Sequence, residues 1–89
     1  MYAIAIHTIS DPENWWAGAQ NLELPQGLTL HSTIGNQDGT KAVCIWEADS
    51  LDSVRDFVEP STEGLSSNEY FEANEQYSMG LPTRAGAAT

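Results

Sequence analysis

Apolar and strand-forming residues are grouped in short blocks along this chain, and turn-forming residues separate the blocks. The first block, Tyr2–Ile9, is rich in residues that favour strands. The sequence SDPEN follows, and it supplies helix-capping side chains with a proline at the first helical position. Beyond it, Trp15, Ala19 and Leu22 recur at helical spacing. The pattern predicts a first strand over Tyr2–Ile9 and a first helix over Pro12–Leu22.

The middle of the chain has the pattern of a β-hairpin. Leu28, Leu30, Ser32 and Ile34 are expected on one face of a strand and Thr29, His31 and Thr33 on the other, a period of two that is typical of a half-buried strand. The sequence NQDG then provides residues suited to a tight reversal, and TKAVCIWEA, residues 40–48, resumes with strand-forming residues. We therefore predict a second and a third strand joined by this turn.

A second helix is predicted from the sequence ADSLDSVRDFVEP. Asp49 or Ser50 can cap its start, and Pro60 is expected to stop it. Its apolar residues fall at helical spacing: Leu51, Val54, Phe57 and Val58.

The remaining residues carry weaker patterns. The spacing of Ser66 and Glu69 is that of a capping box and predicts a single helical turn. A last strand is expected around Tyr70–Tyr77, and residues 83–89 are expected to form a frayed tail.

The predicted order of elements is β-α-β-β-α-β, which indicates a ferredoxin-like α+β fold. Right-handed crossovers then place both helices on one face of a four-stranded antiparallel sheet. At 89 residues the chain is long enough for one domain, predicted over residues 1–82. The other sheet face is left uncovered, and a domain this small gains stability by burying it. We therefore expect a homodimer in which two sheets meet face to face.

Charge and cysteine content exclude several classes of protein. Thirteen acidic residues against three basic ones give a net charge of -10, which disfavours nucleic acid and anionic lipid as partners. The single cysteine cannot form an internal disulfide, and the first nine residues lack the pattern of a signal peptide. No apolar run is long enough to span a membrane. These observations predict a cytoplasmic protein without a membrane partner.

The segment LHSTIGNQDGTKAVCIWEADSLDSVRDFV resembles the hairpin and second helix of small bacterial proteins in the dimeric α+β barrel superfamily. The residues that carry the resemblance are His31, Ser32, Asp38, Gly39, Cys44, Glu47, Ala48, Val54 and Arg55. It is similar in particular to a group with a His-Ser pair in strand two and a cysteine in strand three, which includes a nickel-binding protein. The resemblance implies the ferredoxin-like fold and a dimer. Other members of the superfamily include cofactor-free oxygenases, ring isomerases and haem-degrading enzymes.

The two histidines are the candidate metal ligands. If Ile4 and Ile6 face the helices, alternation places His7 on the open sheet face, where His31 is also expected. A divalent transition metal such as nickel or zinc could then join them. The alternative is that each histidine hydrogen-bonds a neighbouring group and no metal is bound. We favour this alternative, because no His-x-His or Cys-x2-Cys spacing supports ligation.

A pocket between the first helix and the sheet is the candidate ligand site. Trp15, Trp16 and Trp46 are its predicted lining, and we favour the alternative that they serve core packing. Glu47, at the end of the third strand, is the carboxylate we would test as a base. Cys44 lies in an apolar strand and is expected to be a buried hydrophobe, not a nucleophile.

Two classes of function follow. The first, which we favour, is a small-ligand or metal-binding module without catalysis. The second is a cofactor-free monooxygenase or isomerase acting on a small aromatic or polyketide-like substrate in the pocket. An open apolar cavity beneath Trp15 or Trp16 would favour the enzyme, and histidines clustered at the dimer seam would favour binding.

Overall fold

The computed structural model of the chain describes residues 1–82 and has the predicted α+β architecture. Its elements are β1 (Tyr2–Ile9), α1 (Pro12–Gln20), β2 (Thr29–Gly35), β3 (Lys41–Glu47), α2 (Leu51–Thr62), β4 (Ser66–Glu72) and a 3-10 turn over Glu75–Tyr77. The strands form one antiparallel sheet in the order β2-β3-β1-β4. This confirms the predicted ferredoxin-like strand order, while the predicted tail, residues 83–89, lies outside the described residues. Within residues 1–82, neither helix has the length and apolar character needed to cross a membrane.

Both helices begin at the predicted caps. Asp11 accepts a hydrogen bond from the Asn14 N–H at the start of α1, and Ser50 accepts one from the Ser53 N–H at the start of α2. The first helix ends at Gln20, two residues earlier than predicted.

The prediction that Pro60 stops the second helix is wrong, because α2 continues through it to Thr62. A proline removes one backbone donor from the ladder, but two hydroxyl groups in the following residues bond to carbonyls of the last turns. Ser61 Oγ donates to the Phe57 carbonyl over 2.8 Å, and Thr62 Oγ1 donates to the Val58 carbonyl over 2.9 Å. The chain turns at Gly64, where φ is 78°.

The predicted helical turn at Ser66–Glu69 is also wrong, since both residues belong to β4. This strand pairs with β1 from Ser66 to Glu72 and satisfies the backbone groups along that edge. The long-range pairing outweighs the local capping pattern. The strand is also earlier than the predicted range, and residues 75–77 form the 3-10 turn.

The second strand departs from strict alternation at His31. Leu30 pairs with Trp46 and Ser32 with Ile45, so His31 is an extra residue, a β-bulge. The bulge places Leu30 toward the helices, and it turns Ser32 and Ile34 to the open face. The expectation that these three residues share one face is therefore wrong.

The face of the first strand that lies under the helices is the one opposite to the predicted face. Ala3, Ala5 and Ile9 lie in the core under the helices, whereas Ile4 and Ile6 lie on the open face. The reason is volume. Trp46 pairs with Ala3, and His7 pairs with Ala42, so each large side chain under the helices has a small neighbour on the adjacent strand.

Candidate functional site

A cavity of about 80 Å³ lies between the two helices and the covered face of the sheet. It is lined by His7, Trp15, Gly18, Ala19, Leu22, Leu30, Thr33, Cys44, Trp46, Phe57, Val58, Ser61, Thr62 and Leu65. Gly18 of α1 and Ser61 of α2 belong to the lining and are exposed, so the cavity opens between the two helices. Its lining is mostly apolar, which is typical of small-ligand sites.

His7 belongs to this cavity and not to the open sheet face. Its side chain is 1% exposed, and its ring lies 4.9 Å from the ring of Trp15, centroid to centroid. The expectation that His7 and His31 share one face is wrong. Ile9 and the alanines of β1 face the helices, and His7 follows their alternation.

The hydrogen-bond network around Asn68 determines the tautomer of His7. The Asn68 amide nitrogen donates to Glu59 Oε2 over 2.6 Å and to Thr62 Oγ1 over 2.9 Å. The Asn68 carbonyl oxygen must therefore be the group that faces His7, and it also accepts a hydrogen bond from Ser66 Oγ over 2.8 Å. His7 Nδ1–H donates to this oxygen over 2.6 Å. The other ring nitrogen, Nε2, consequently carries a lone pair.

The His7 imidazole is neutral at pH 7. Burial lowers its pKa below the usual value of 6.5, and this effect exceeds the opposing effects of the Asn68 hydrogen bond and the Glu59 charge. The pKa of Glu59 is lowered in turn, because its carboxylate accepts hydrogen bonds from Asn68 and Tyr70. Glu59 is therefore the charged end of a chain of hydrogen bonds that runs through Asn68 to His7.

Two ring nitrogens of residues that line the cavity have no hydrogen-bond partner within residues 1–82. They are His7 Nε2 and Trp46 Nε1, and both are buried. Leaving a buried polar group unpaired costs about 1–3 kcal/mol. A bound molecule with matching donor and acceptor groups would recover part of this cost.

The remaining polar groups of the lining are paired. Trp15 Nε1–H donates to Ser66 Oγ over 3.1 Å, and Cys44 Sγ lies 3.5 Å from Thr33 Oγ1. Burial raises the pKa of the Cys44 thiol, which keeps it protonated. Cys44 therefore contributes a neutral, polarisable surface to the cavity.

Trp16 lies outside the cavity lining. Its indole N–H donates to the Gly39 carbonyl over 2.9 Å, and its ring packs on the backbone of Gly35, where a Cβ would lie 2.5 Å from a ring carbon. Its ring also meets Trp15 edge to face at 4.8 Å. Trp16 thus holds α1 against the β2–β3 turn and supports the position of Trp15.

Glu47 and His31 lie together on the open face of the sheet. Glu47 Oε1 accepts a hydrogen bond from His31 Nε2 over 2.9 Å, and the His31 ring lies 5.9 Å from the ring of Tyr2. The sheet separates Glu47 from the cavity, so of the four residues predicted for the ligand pocket only Trp15 and Trp46 line it.

The structure does not bring the predicted metal ligands together. His7 lies under the helices and His31 lies on the opposite face of the sheet, so one protomer cannot join them through a metal. The part of the chain that the structure describes contains no group of three or more His, Cys, Asp or Glu side chains arranged to hold a metal ion.

Asn68 and Glu59 are the members of the site that the sequence analysis missed. Asn68 was missed because residues 66–69 were expected to be helical, and Glu59, which lies within the predicted second helix, was missed because its partner Asn68 was misplaced. A correct assignment of β4 would have placed Asn68 beside His7, because the two residues are paired in the sheet.

Comparisons of the chain with models of protein families, with curated proteins and with solved structures return no match.

Proposed function

We propose that the protein binds a small, largely apolar molecule in the cavity between its helices and its sheet. The observation that carries this proposal is a mostly apolar cavity in which two lining residues, His7 and Trp46, each have a buried ring nitrogen without a partner among the described residues. A core selected for stability alone gains nothing from such atoms, because each one costs free energy.

The volume of the cavity limits the ligand. An apolar cavity of roughly 150 Å³ holds benzene, and this cavity, at about 80 Å³, is smaller but open at one end. A single ring with part of its surface in the mouth between α1 and α2 fits this volume. The size therefore favours a one-ring ligand over a fused-ring, polyketide-like one.

The geometry favours this pocket over a metal site at the dimer seam. The cavity lies beneath Trp15, as the pocket hypothesis requires, and the two histidines lie on opposite faces of the sheet. Binding of nickel or zinc would need ligands from elsewhere.

A second candidate function is an isomerase or a cofactor-free oxygenase in the same cavity. The open apolar cavity beneath Trp15 favours the enzyme, as the sequence analysis expected, and so does His7, because a neutral imidazole oriented by Asn68 and Glu59 is able to accept a proton from a bound substrate. In this scheme His7 takes the role of base that the sequence analysis assigned to Glu47.

We also propose that the protein is a homodimer formed through the open sheet face. That face carries a continuous group of apolar side chains: Ile4, Ile6, Ile34, Val43, Ile45 and Phe71. Ile34 is 60% exposed and Phe71 is 50% exposed in the single chain. An apolar surface of this kind marks an interaction site, and a second copy supplies a surface of matching shape and character.

Membership of the dimeric α+β barrel superfamily fits both proposals. The strand order and the hairpin that holds His31 and Cys44 support it. Membership of the group that includes a nickel-binding protein is supported by the hairpin residues named above for the resemblance. The single cysteine supports a cytoplasmic location.

The cavity is tested by closing its mouth. Gly18 lines the cavity, and a Cβ at this position meets nothing within 4 Å, so Gly18→Leu adds a side chain at the opening without a clash at its base. The control is Ala17→Leu, an exposed position on the same helix that does not line the cavity.

We expect calorimetric titration with toluene to show saturable binding to the wild type and to Ala17→Leu, and binding at least about tenfold weaker to Gly18→Leu, because the added side chain competes for the same space. Equal binding by all three proteins, or no binding of either toluene or phenol by the wild type, would contradict the proposed site.

A further inference from the structure

We infer that the natural ligand of the cavity is an uncharged molecule that donates an O–H or N–H hydrogen bond to Nε2 of His7. This inference rests on the proposed function and specifies its ligand class. Small phenols, enols and related ring compounds with a single acidic proton belong to the class, and ethers and hydrocarbons of the same size do not.

The hydrogen bonds between His7, Asn68 and Glu59 determine that Nε2 of His7 accepts a hydrogen bond and that the ligand donates it. Nδ1 is committed as a donor to Asn68, and Asn68 cannot turn its amide around without placing its oxygen against the carboxylate of Glu59. Nε2 therefore accepts a hydrogen bond and does not donate one. A ligand that only accepts hydrogen bonds leaves Nε2 unpaired.

The neighbouring side chains hold the His7 imidazole in the orientation in which Nε2 is the acceptor. The Trp15 ring lies against the imidazole and is itself held by Ser66, while Asn68 is held by Glu59 and Thr62. The imidazole is held by its hydrogen bond to Asn68 and by its contact with the Trp15 ring, so it has little freedom to rotate toward another partner. The hydrogen-bond donor must therefore come from the ligand.

The charge of the ligand follows from the cavity wall. No Asp, Glu, Lys or Arg is among the lining residues within 1–82. Glu59, the nearest charge to His7, is already paired with Asn68 and Tyr70 and faces Arg55. An ion in this cavity would lose its hydration without gaining a partner, and the net charge of -10 on the chain repels anions from the mouth.

Three probes of similar size separate the contributions to binding. Phenol donates and accepts a hydrogen bond, anisole only accepts, and toluene does neither. We expect phenol to bind the wild type about ten- to a hundredfold more tightly than anisole or toluene at pH 7.5, which corresponds to one hydrogen bond to an otherwise unpaired buried group. The measurement is calorimetric titration with each probe.

The variant His7→Leu keeps a side chain of similar size and removes the acceptor. We expect it to lose the preference for phenol over anisole and toluene. Ser66 still bonds to Asn68 in this variant, so the neighbouring network retains a partner. His31→Leu, on the other face of the sheet, is the matched control and should keep the preference.

The outcomes are distinct. Equal binding of all three probes, or tighter binding of anisole than of phenol, would overturn the inference and leave the binding site in place. A preference for phenol that survives in His7→Leu would also overturn it, since the donor would then bond to another group. Failure of every probe to bind the wild type would contradict the proposed function itself.

Discussion

On the covered face of the sheet, the volume of the neighbouring side chain determines which side chain fits at each position. Trp46 fits because its neighbour across the strands is Ala3, and His7 fits because its neighbour is Ala42. The same arrangement buries the His7 imidazole beside the ring of Trp15, and this burial lowers its pKa and keeps it neutral. The packing of the core and the chemistry of the cavity therefore depend on the same residues.

The stability of the protein should fall as the pH is lowered below about 6.5, and His7 should be a cause. The unfolded chain takes up a proton at this histidine near the usual pKa, whereas the folded chain takes it up only at lower pH, so acid favours unfolding over the interval between the two pKa values. One proton gives a slope of at most about 1.4 kcal/mol per pH unit. Urea unfolding of the wild type at several pH values between 7.5 and about 5 measures the slope.

The control separates His7 from the other histidine. In His7→Leu the slope should decrease, and in His31→Leu the contribution of His7 should persist. An unchanged slope in His7→Leu would show that the buried imidazole does not titrate as described.

At the scale of elements, the sequence was informative wherever the local pattern and the tertiary fold agree. The bounds of β1 and the first residue of α1 were predicted correctly, and Ser50 was one of the two predicted caps of α2, because caps and strand-forming blocks are local signals. Pro60 misled the prediction, because the proline removes only the bond to the Asp56 carbonyl, while the hydroxyl groups of Ser61 and Thr62 add bonds to the carbonyls of Phe57 and Val58. The end of this helix depends on several residues together and not on the proline alone.

The site was harder to predict than the fold for the same reason. Strand alternation gives two faces, but it does not say which one is covered, and the larger side chains of Ile4 and Ile6 suggested the wrong one. The core instead takes the small alanines, because Trp15 and Trp46 already fill it. The bulge at His31 depends on the register between β2 and β3, which no local pattern in that strand revealed.

For the whole molecule, the open face is the surface through which we propose that the protein dimerises. In the proposed dimer the exposed apolar side chains attract the two copies, and the net charge of -10 on each chain repels them. Added salt screens the repulsion and leaves the apolar contact in place. The proposed dimer should therefore tighten as the ionic strength rises.

Light scattering should give about 19 kDa at micromolar concentration, twice the 9.7 kDa of the single chain. Ile34→Glu introduces a charge on the open face at a position that is 60% exposed, and we expect it to shift the protein to the monomer without unfolding it. Leu24→Glu makes the same change at a 40% exposed position before β2 and should leave the dimer intact. A monomeric wild type, or equal effects of both substitutions, would contradict the interface.

The cavity between the helices and the sheet is the proposed binding site. The three tryptophans allow this proposal to be tested in one measurement. Each indole N–H has a different environment: Trp15 bonds to Ser66, Trp16 bonds to Gly39, and Trp46 has no partner among residues 1–82. In a ¹⁵N-resolved NMR titration with phenol, we expect the indole resonances of Trp15 and Trp46 to shift together and to saturate, while that of Trp16 stays in place. Saturable shifts at Trp16 alone, or the absence of saturable shifts at all three, would contradict the claim.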